Sequence, residues 1–600
     1  MAESTEKTKE TGVLAPSPTT TKEGQMSSYI RPQARKLHDP DVTLEEYLYY
    51  AQKTREIEKS YESPKLRWRQ ILRRNKEAND GIAESTAEVN GDGKDFQNDV
   101  NYSSPDARLQ ISDEEWINAS RAFRTASSAS CFFLITTDIL GPYGVGFSLG
   151  TLGWGPGIAL YTVFGFLAGY SGYLVWRVYL GVDSYQFPCR NYGDLAYRSL
   201  GTVGRHVTNI LQAVALLLVL GQVTLQYGQN ISQVSKFRLC YAVCPLLFTI
   251  VGLVLTQIRT LKAYGLVANF AVYLNLLVIF MTMGFISASP PNYAISVLGS
   301  AGGAVDPSTI TPDAHGNYPA IFHYSKLPPG SLVGSVNGLL SGVLAYAGVQ
   351  LFVEFMAEMR RPLDFIKAMW GAQFFIYTVY MAYGCFVYYY QGQYSYNPSY
   401  QGVSVYGWQA AGNILTLISA LIAAGLYGNI GVKVLYNNVL MDLFKAPPLT
   451  TKKGKILYAA IVPIWWAIAF VIAAAIPDFF GFVSLMSAST LINLCYSLPP
   501  LYALGFAVKK NAIQFDRGEG FNPETGEVKR VDTGFRRLMR GFLAGGPLQI
   551  GINVWHVLYF LASLSMCGLG MYAAVEGMIE AFQTQQLSAF SCRSPLNLNA

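Results

Sequence analysis

Eleven runs of roughly 20 mostly apolar residues follow one another between residues 126 and 578, and each is long enough to cross a bilayer as an α-helix. They fall near 126–150, 155–179, 207–230, 240–257, 264–287, 333–358, 369–391, 409–434, 456–477, 479–505 and 552–578. In hydrocarbon every backbone N–H and C=O must find its partner inside the protein, and a lone apolar run does this only as a helix. The expected fold class is therefore an all-α polytopic membrane protein with eleven transmembrane helices.

Charge placement supports that plan. The first 115 residues hold 39 of the 84 charged residues, leaving the remaining 485 very poor in charge. Lys and Arg then gather in alternate loops: Arg190, Arg198 and Arg205 after span two, Arg259 and Lys262 after span four, Arg360, Arg361 and Lys367 after span six. Lys445, Lys452, Lys453 and Lys455 follow span eight, and Lys509 and Lys510 follow span ten. The intervening loops are poor in basic residues, Lys236 and Arg238 after span three being the exception. Short cytoplasmic loops collect positive charge, so the N-terminus is expected in the cytosol and the C-terminus outside. The division is a cytosolic tail over 1–115, a transporter domain over 116–580 and a short external tail over 581–600. The proline- and glycine-containing segment 288–332 is expected to be an external loop or cap.

The tail reads as largely disordered at 1–28, where Thr, Ser, Lys and Glu dominate. Thr43 and Glu46 stand at capping-box spacing before a helical run, and a basic run, KLRWRQILRR, follows at 65–74. That basic run suits a cytosolic regulatory partner, an anionic lipid surface or plain solvation. No signal peptide core precedes the first span. The eight cysteines show no metal-ligand spacing and no paired framework, so they read as small buried hydrophobes. No nucleophile–base pair or ligand cluster points to an enzyme, no ring of charges to a channel, and the net charge of +6 implies no nucleic-acid partner. No cofactor is expected.

Two of the spans should not be plain helices. In TTDILGPYGVGFSLGTLGWGPGI (residues 136–158), Gly141, Gly144, Gly146 and Pro142 each weaken or break a helix. Asp138 stands just before that break, where a charge is expensive and is by default a functional residue. Span six carries a second small-residue interruption at 345–350, with Gly348 between Tyr346 and Gln350, followed by Glu354 and Glu358. Interrupted helices at matching positions of two halves mark inverted-repeat transporters that bind substrate at the midplane. Half-helix N-termini suit a carboxylate and freed carbonyls suit an ammonium; an amino acid carries both. Asp138 and Glu354 are the candidates for proton or ion coupling. Gln222, Gln226, Asn275, Tyr427 and Asn429 are polar residues on other spans that complete a pocket or bond between helices.

LGWGPGIAL at 152–160 resembles the Gly-Trp joint between the first two spans of the amino acid/auxin permease family. YGDLAYRSLG at 192–201 resembles that family's segment between spans two and three. LAYAGVQLFVEFMAEMRRPLDFIKAM at 344–369 resembles its broken sixth span. The resemblance covers roughly 120–580, and the TTDILGP form with the long charged tail is most similar to fungal neutral and aromatic amino acid permeases. It implies a LeuT-like five-plus-five inverted repeat with one further helix, and secondary amino acid transport driven by protons or sodium. It maps the substrate loops to Ile139, Leu140, Gly141, Tyr143, Gly144 and Gly146 on span one, and to Tyr346, Ala347, Gly348 and Gln350 on span six. Gln222 and Asn429 are the further substrate-binding candidates. Asp138 stands where many relatives carry an apolar residue.

The function expected is import of neutral or aromatic amino acids by alternating access, coupled to protons, at the plasma membrane. Two alternatives stand beside it: an amino-acid-sensing receptor that signals through the cytosolic tail, and an exporter of the same fold in the vacuolar membrane.

Overall fold

The computed structural model describes residues 30–32, 42–60, 110–112, 124, 126–257, 261–299, 307–441, 444–447, 451–476, 479–523, 525–583 and 590–597. The expectations for 1–28 and for the basic run at 65–74 lie outside these residues. One helix of the N-terminal tail is described, α1 (Leu44–Ser60), and two three-residue strands, β1 (Ile30–Pro32) and β2 (Gln110–Ser112), pair antiparallel with Ile30 opposite Ser112.

The remaining regular elements are helices apart from a hairpin of two-residue strands at 520–529. Span one is split into α2 (Ser128–Ile139) and α3 (Val145–Leu152), followed by α4 (Trp154–Val182), the short α5 (Tyr192–Leu200) and α6 (Thr202–Val234). Next come α7 (Val243–Thr256) and α8 (Leu261–Ala288), then span six, split into α9 (Leu332–Ala345) and α10 (Phe352–Glu358). The second half continues with α11 (Phe365–Gln391), α12 (Tyr406–Leu435) and α13 (Lys452–Ala475). The tenth run is α14 (Phe479–Met486) and α15 (Leu498–Asn511), joined by two π-turns. Pro499 and Pro500 have no N–H to bond a carbonyl four residues back, which accounts for the looser winding just before them. The chain ends with α16 (Phe535–Leu543) and α17 (Gly546–Gln583).

Among the described residues, nine helices are long and apolar enough to cross a membrane, against the eleven runs expected. α7 is apolar but only 14 residues long, and the 27-residue α11 is made less apolar by six tyrosines and Lys367. Helix starts follow local chemistry: Ser127, Asn191, Ser331 and Thr451 each accept a backbone N–H of the helix they precede, at 2.8–3.2 Å.

The two broken spans run through the interior. α2 packs on α8 and α11, α3 on α9 and α11, and α9 also on α14 and α17. By contrast α13 and α17 lie at the periphery, with only about a third of their residues buried. Segment 318–326 straps the joint between spans one and two: Trp154 and Gly155 N–H donate to the Tyr324 and Ser325 carbonyls at 2.9 and 3.1 Å. Gly153 sits there at φ +80°, and a Cβ would lie 2.2 Å from the Lys326 carbonyl oxygen, so only glycine fits.

One expectation is corrected. Cys240, after α6, and Cys592, in the C-terminal tail, form a disulfide across 352 residues, whereas all eight cysteines were expected unpaired. Their proximity depends on the tail folding back, with Tyr241 N–H donating to the Cys592 carbonyl at 3.0 Å, which no local pattern announces. The segment after α11, residues 391–403, is buried. Gln401 donates to Asn230 at 2.6 Å and Gln409 to the Gln401 carbonyl at 2.6 Å, which pins the segment to α6 and α12.

Candidate functional site

α2 ends at Ile139, the backbone is extended through Leu140 and Gly141, and a single 3-10 turn (Pro142–Gly144) leads into α3. Pro142 opens that turn, where its missing N–H costs nothing. α9 ends at Ala345; Tyr346, Ala347 and Gly348 form a turn, and a 3-10 turn (Val349–Leu351) precedes α10. Both breaks expected from sequence are present, and they touch. A Cβ on Gly348 would lie 2.6 Å from the Ile139 side chain and 2.8 Å from Asp138 Oδ2.

The free helix ends need partners, and one side chain of α11 serves both. The Tyr380 hydroxyl bonds the Ile139 carbonyl, which ends α2, and lies 2.9 Å from the Ala345 carbonyl, which ends α9. It also accepts the Gly141 N–H at 3.3 Å. A hydroxyl has one proton for two carbonyls, so Tyr380 links the two breaks without saturating either. Tyr427, from α12, donates to Asp138 Oδ1 at 2.7 Å.

Around the breaks lies a cavity of about 230 Å³, below the roughly 300–1,000 Å³ of drug-sized sites and suited to one small molecule. Ten of the fourteen residues expected at the site line it: Asp138, Ile139, Leu140, Gly141, Tyr143, Gly144, Gln222, Ala347, Gly348 and Gln350. Gln226, Asn275 and Tyr427 line it as well. Among the described residues, Asp138 is its one carboxylate, and no Lys or Arg lines it. Tyr143, stacked edge-on against Tyr400 at 5.0 Å and Tyr383 at 6.0 Å, roofs one end together with Asn397 and Pro398 of the buried 391–403 segment.

Four expected residues do not reach the cavity. Gly146 faces α11, where a Cβ would meet Val387 at 2.5 Å, so it serves helix packing. Tyr346 is fully buried behind the wall, its ring against Tyr161 and Tyr380. Asn429 points toward α13 and donates to Tyr458 at 3.2 Å. Glu354 lies one shell behind: its Oε1 accepts Gln212 at 2.9 Å, while Gln212 also donates to the Gln350 carbonyl at 3.0 Å. Its Oε2 has no hydrogen-bond partner among the described residues. A helical residue's reach depends on which way its face is turned, and these four sit on faces turned from the cavity.

Sequence reasoning missed Tyr161, Ser341, Tyr380, Asn397 and Ser419 among the lining residues. Tyr380 is one of six tyrosines on α11, and nothing local separates it from the others.

A search of curated proteins found no match. Among solved structures, the chain is similar to Mhp1, a nucleobase-cation-symport-1 family transporter in a closed conformation with bromovinylhydantoin bound. The identity is 12% and the TM-score 0.39, over 77% of this chain and 93% of that one. Residues 124–515, which span both broken helices and the cavity between them, match the sequence model of the transmembrane amino acid transporter proteins, and the chain belongs to that family.

Proposed function

We propose that this transporter imports neutral or aromatic amino acids across the plasma membrane in company with protons, the central cavity opening alternately to each side. The observation that carries the reading is the junction of the two breaks at one cavity with a single carboxylate. An amino acid's ammonium fits between Asp138 and the carbonyls at 345–347, and its carboxylate fits the N-terminal turn of α3, where helix amides and dipole favour an anion. Tyr143, Leu140, Leu344 and Phe479 on the wall suit an uncharged side chain. Asp138 is the coupling residue in this reading, with Glu354 a relay reached through Gln212 and Gln350. The cytosolic N-terminus is supported by the loop charges and by the Cys240–Cys592 disulfide, since disulfides persist on the oxidising side of a membrane.

Uptake of labelled amino acids in cells expressing the chain, run at two pH values with and without sodium, tests the proposal. Competition by neutral and aromatic amino acids, with uptake rising at acid external pH and indifferent to sodium, is expected. Sodium dependence without pH dependence would overturn proton coupling, and indifference to every amino acid would overturn the transport reading. Asp138→Asn is expected to weaken substrate binding about tenfold, the loss of one charge-assisted hydrogen bond, and Glu354→Gln to leave binding intact while altering the pH profile.

A second reading, a sensor that signals through the tail, is favoured by the docking of α1 onto the transporter body. Arg55 of α1 bonds Asp183 Oδ2 at 2.7 Å, beyond the end of α4, and Arg124, just before α2, bonds both Asp183 oxygens at 2.9–3.0 Å. Removal of residues 1–29, which leaves α1 in place, separates the two readings: transport survives it, and signalling through the free tail does not.

A further inference from the structure

The face that carries α1 holds a second cavity, of about 440 Å³, walled by α1, the start of α6, the end of α15 and the segment around α16. Among the described residues, Arg198, Lys509, Arg530 and Arg537 line it, with Glu45 as the one acid. Glu45 is shared by Arg530 at 2.6 Å and Arg537 at 3.0 Å, and Arg198 is engaged by the carbonyls of Val182, Phe187 and Pro188. Lys509 has no hydrogen-bond or ion-pair partner among the described residues. Gly201 and Thr202, where the 33-residue α6 begins without a side-chain cap, add the positive end of a helix. Arg537 also pairs with Glu519 at 2.9 Å, so the positive charge left to the cavity rests on Lys509 and Arg198.

Its surroundings are apolar in a particular way. α16, FRRLMRGFL, turns Phe535 (75% exposed), Leu538, Met539 and Leu543 outward beside Arg536, Arg537 and Arg540, the composition of a helix lying in a membrane interface. One residue beyond Thr202, α6 begins an outward stripe of Val203 (76% exposed), Val207 and Ile210. A positive pocket therefore adjoins lipid-facing surface on two helices.

We propose that this cavity binds the phosphate headgroup of an anionic phospholipid, with Lys509 as the direct phosphate contact and the acyl chains against α16 and the α6 stripe. Charge complementarity and the adjoining apolar surface select a lipid over a soluble anion, which would leave the exposed apolar residues of α16 without an occupant.

The full chain, reconstituted in nanodiscs of phosphatidylcholine alone or doped with phosphatidylinositol, is examined by native mass spectrometry for lipid retained on release. Retention of phosphatidylinositol over phosphatidylcholine is expected, with a loss of about fivefold in Lys509→Gln and a comparable loss in the Phe535→Ser, Leu538→Ser double variant. Unchanged retention in Lys509→Gln, or no preference between the lipids, would overturn the proposal. So would complete displacement of the lipid by millimolar inorganic phosphate, which would make the cavity a free-anion site. A spin-label distance between Gln52 and Asp516, both exposed, confirms that each variant keeps α1 docked.

Discussion

At the scale of the residue, the site depends on contacts with no slack. Gly348 is where the two breaks touch, and Gly348→Ala pushes a methyl into Ile139 and Asp138. We expect a destabilisation of about 1–3 kcal/mol from overpacking and a larger fractional loss of uptake, checked by thermal unfolding in detergent beside transport assays. Tyr380→Phe keeps the ring and removes the hydroxyl that serves the Ile139 and Ala345 carbonyls. Leaving those helix ends unpaired costs about 1–3 kcal/mol, and the same two measurements apply; a variant with wild-type unfolding and uptake would show that water replaces the hydroxyl. Gly348 alone reads as an ordinary packing glycine, and it was legible as a break because it lies five spans after the first broken helix, at the matching position of the second half. Tyr380 was not, because its role exists only where two carbonyls from helices more than 200 residues apart arrive at one point.

At the scale of the element, α1 joins the tail to the transporter, and its docking should respond to pH. Burial pushes the Glu58 carboxyl up to about 7 from its ordinary 4.5, against Arg55, Asp183 and Arg124 around it, of which the two arginines draw it down. Asp183 is buried too, but Arg124 and Arg55 hold it below its ordinary 3.8. Docked α1 therefore keeps on Glu58 a proton that the free helix releases, so docking is firmest below about 4.5 and weakens as pH rises through about 7. Asp183 acts in the opposite sense, but only below its ordinary value. The Gln52–Asp516 label distance followed from pH 5.5 to 8 should lengthen or broaden toward the alkaline end, and Glu58→Gln should flatten that response. A distance independent of pH in the unsubstituted chain would refute it. The helix itself was expected from the capping box at Thr43 and Glu46. Its burial was not, since LEEYLYYAQKTREIEKS is polar enough to read as solvated until Tyr47 and Tyr50 meet Phe187, at 5.3 and 5.6 Å, and Arg530 meets Glu45.

At the scale of the whole molecule, the disulfide ties the C-terminal tail to the loop after α6, and it can be tested directly. A protease site inserted in the exposed turn at 313–317 cuts the chain between Cys240 and Cys592. The two fragments should stay together in denaturant without reductant and part when it is added, whereas Cys592→Ser should let them part at once. The same architecture explains what could be read in advance. The apolar helices, the two broken helices and the polar residues at 222, 226, 275 and 427 were legible because bilayer thickness and backbone hydrogen bonding leave a local mark on every helix. Two of the eleven runs nevertheless form helices too short or too polar to count as spans. Local composition thus specifies the helices, where two of them must break and which chemistry the breaks carry. Long-range packing, by contrast, sets Asp138 facing the cavity with Glu354 behind it, closes residues 391–403 over the site and clamps α1 to the body. Each of those outcomes turns on the rotation and meeting of segments far apart in the chain, which local periodicity does not encode.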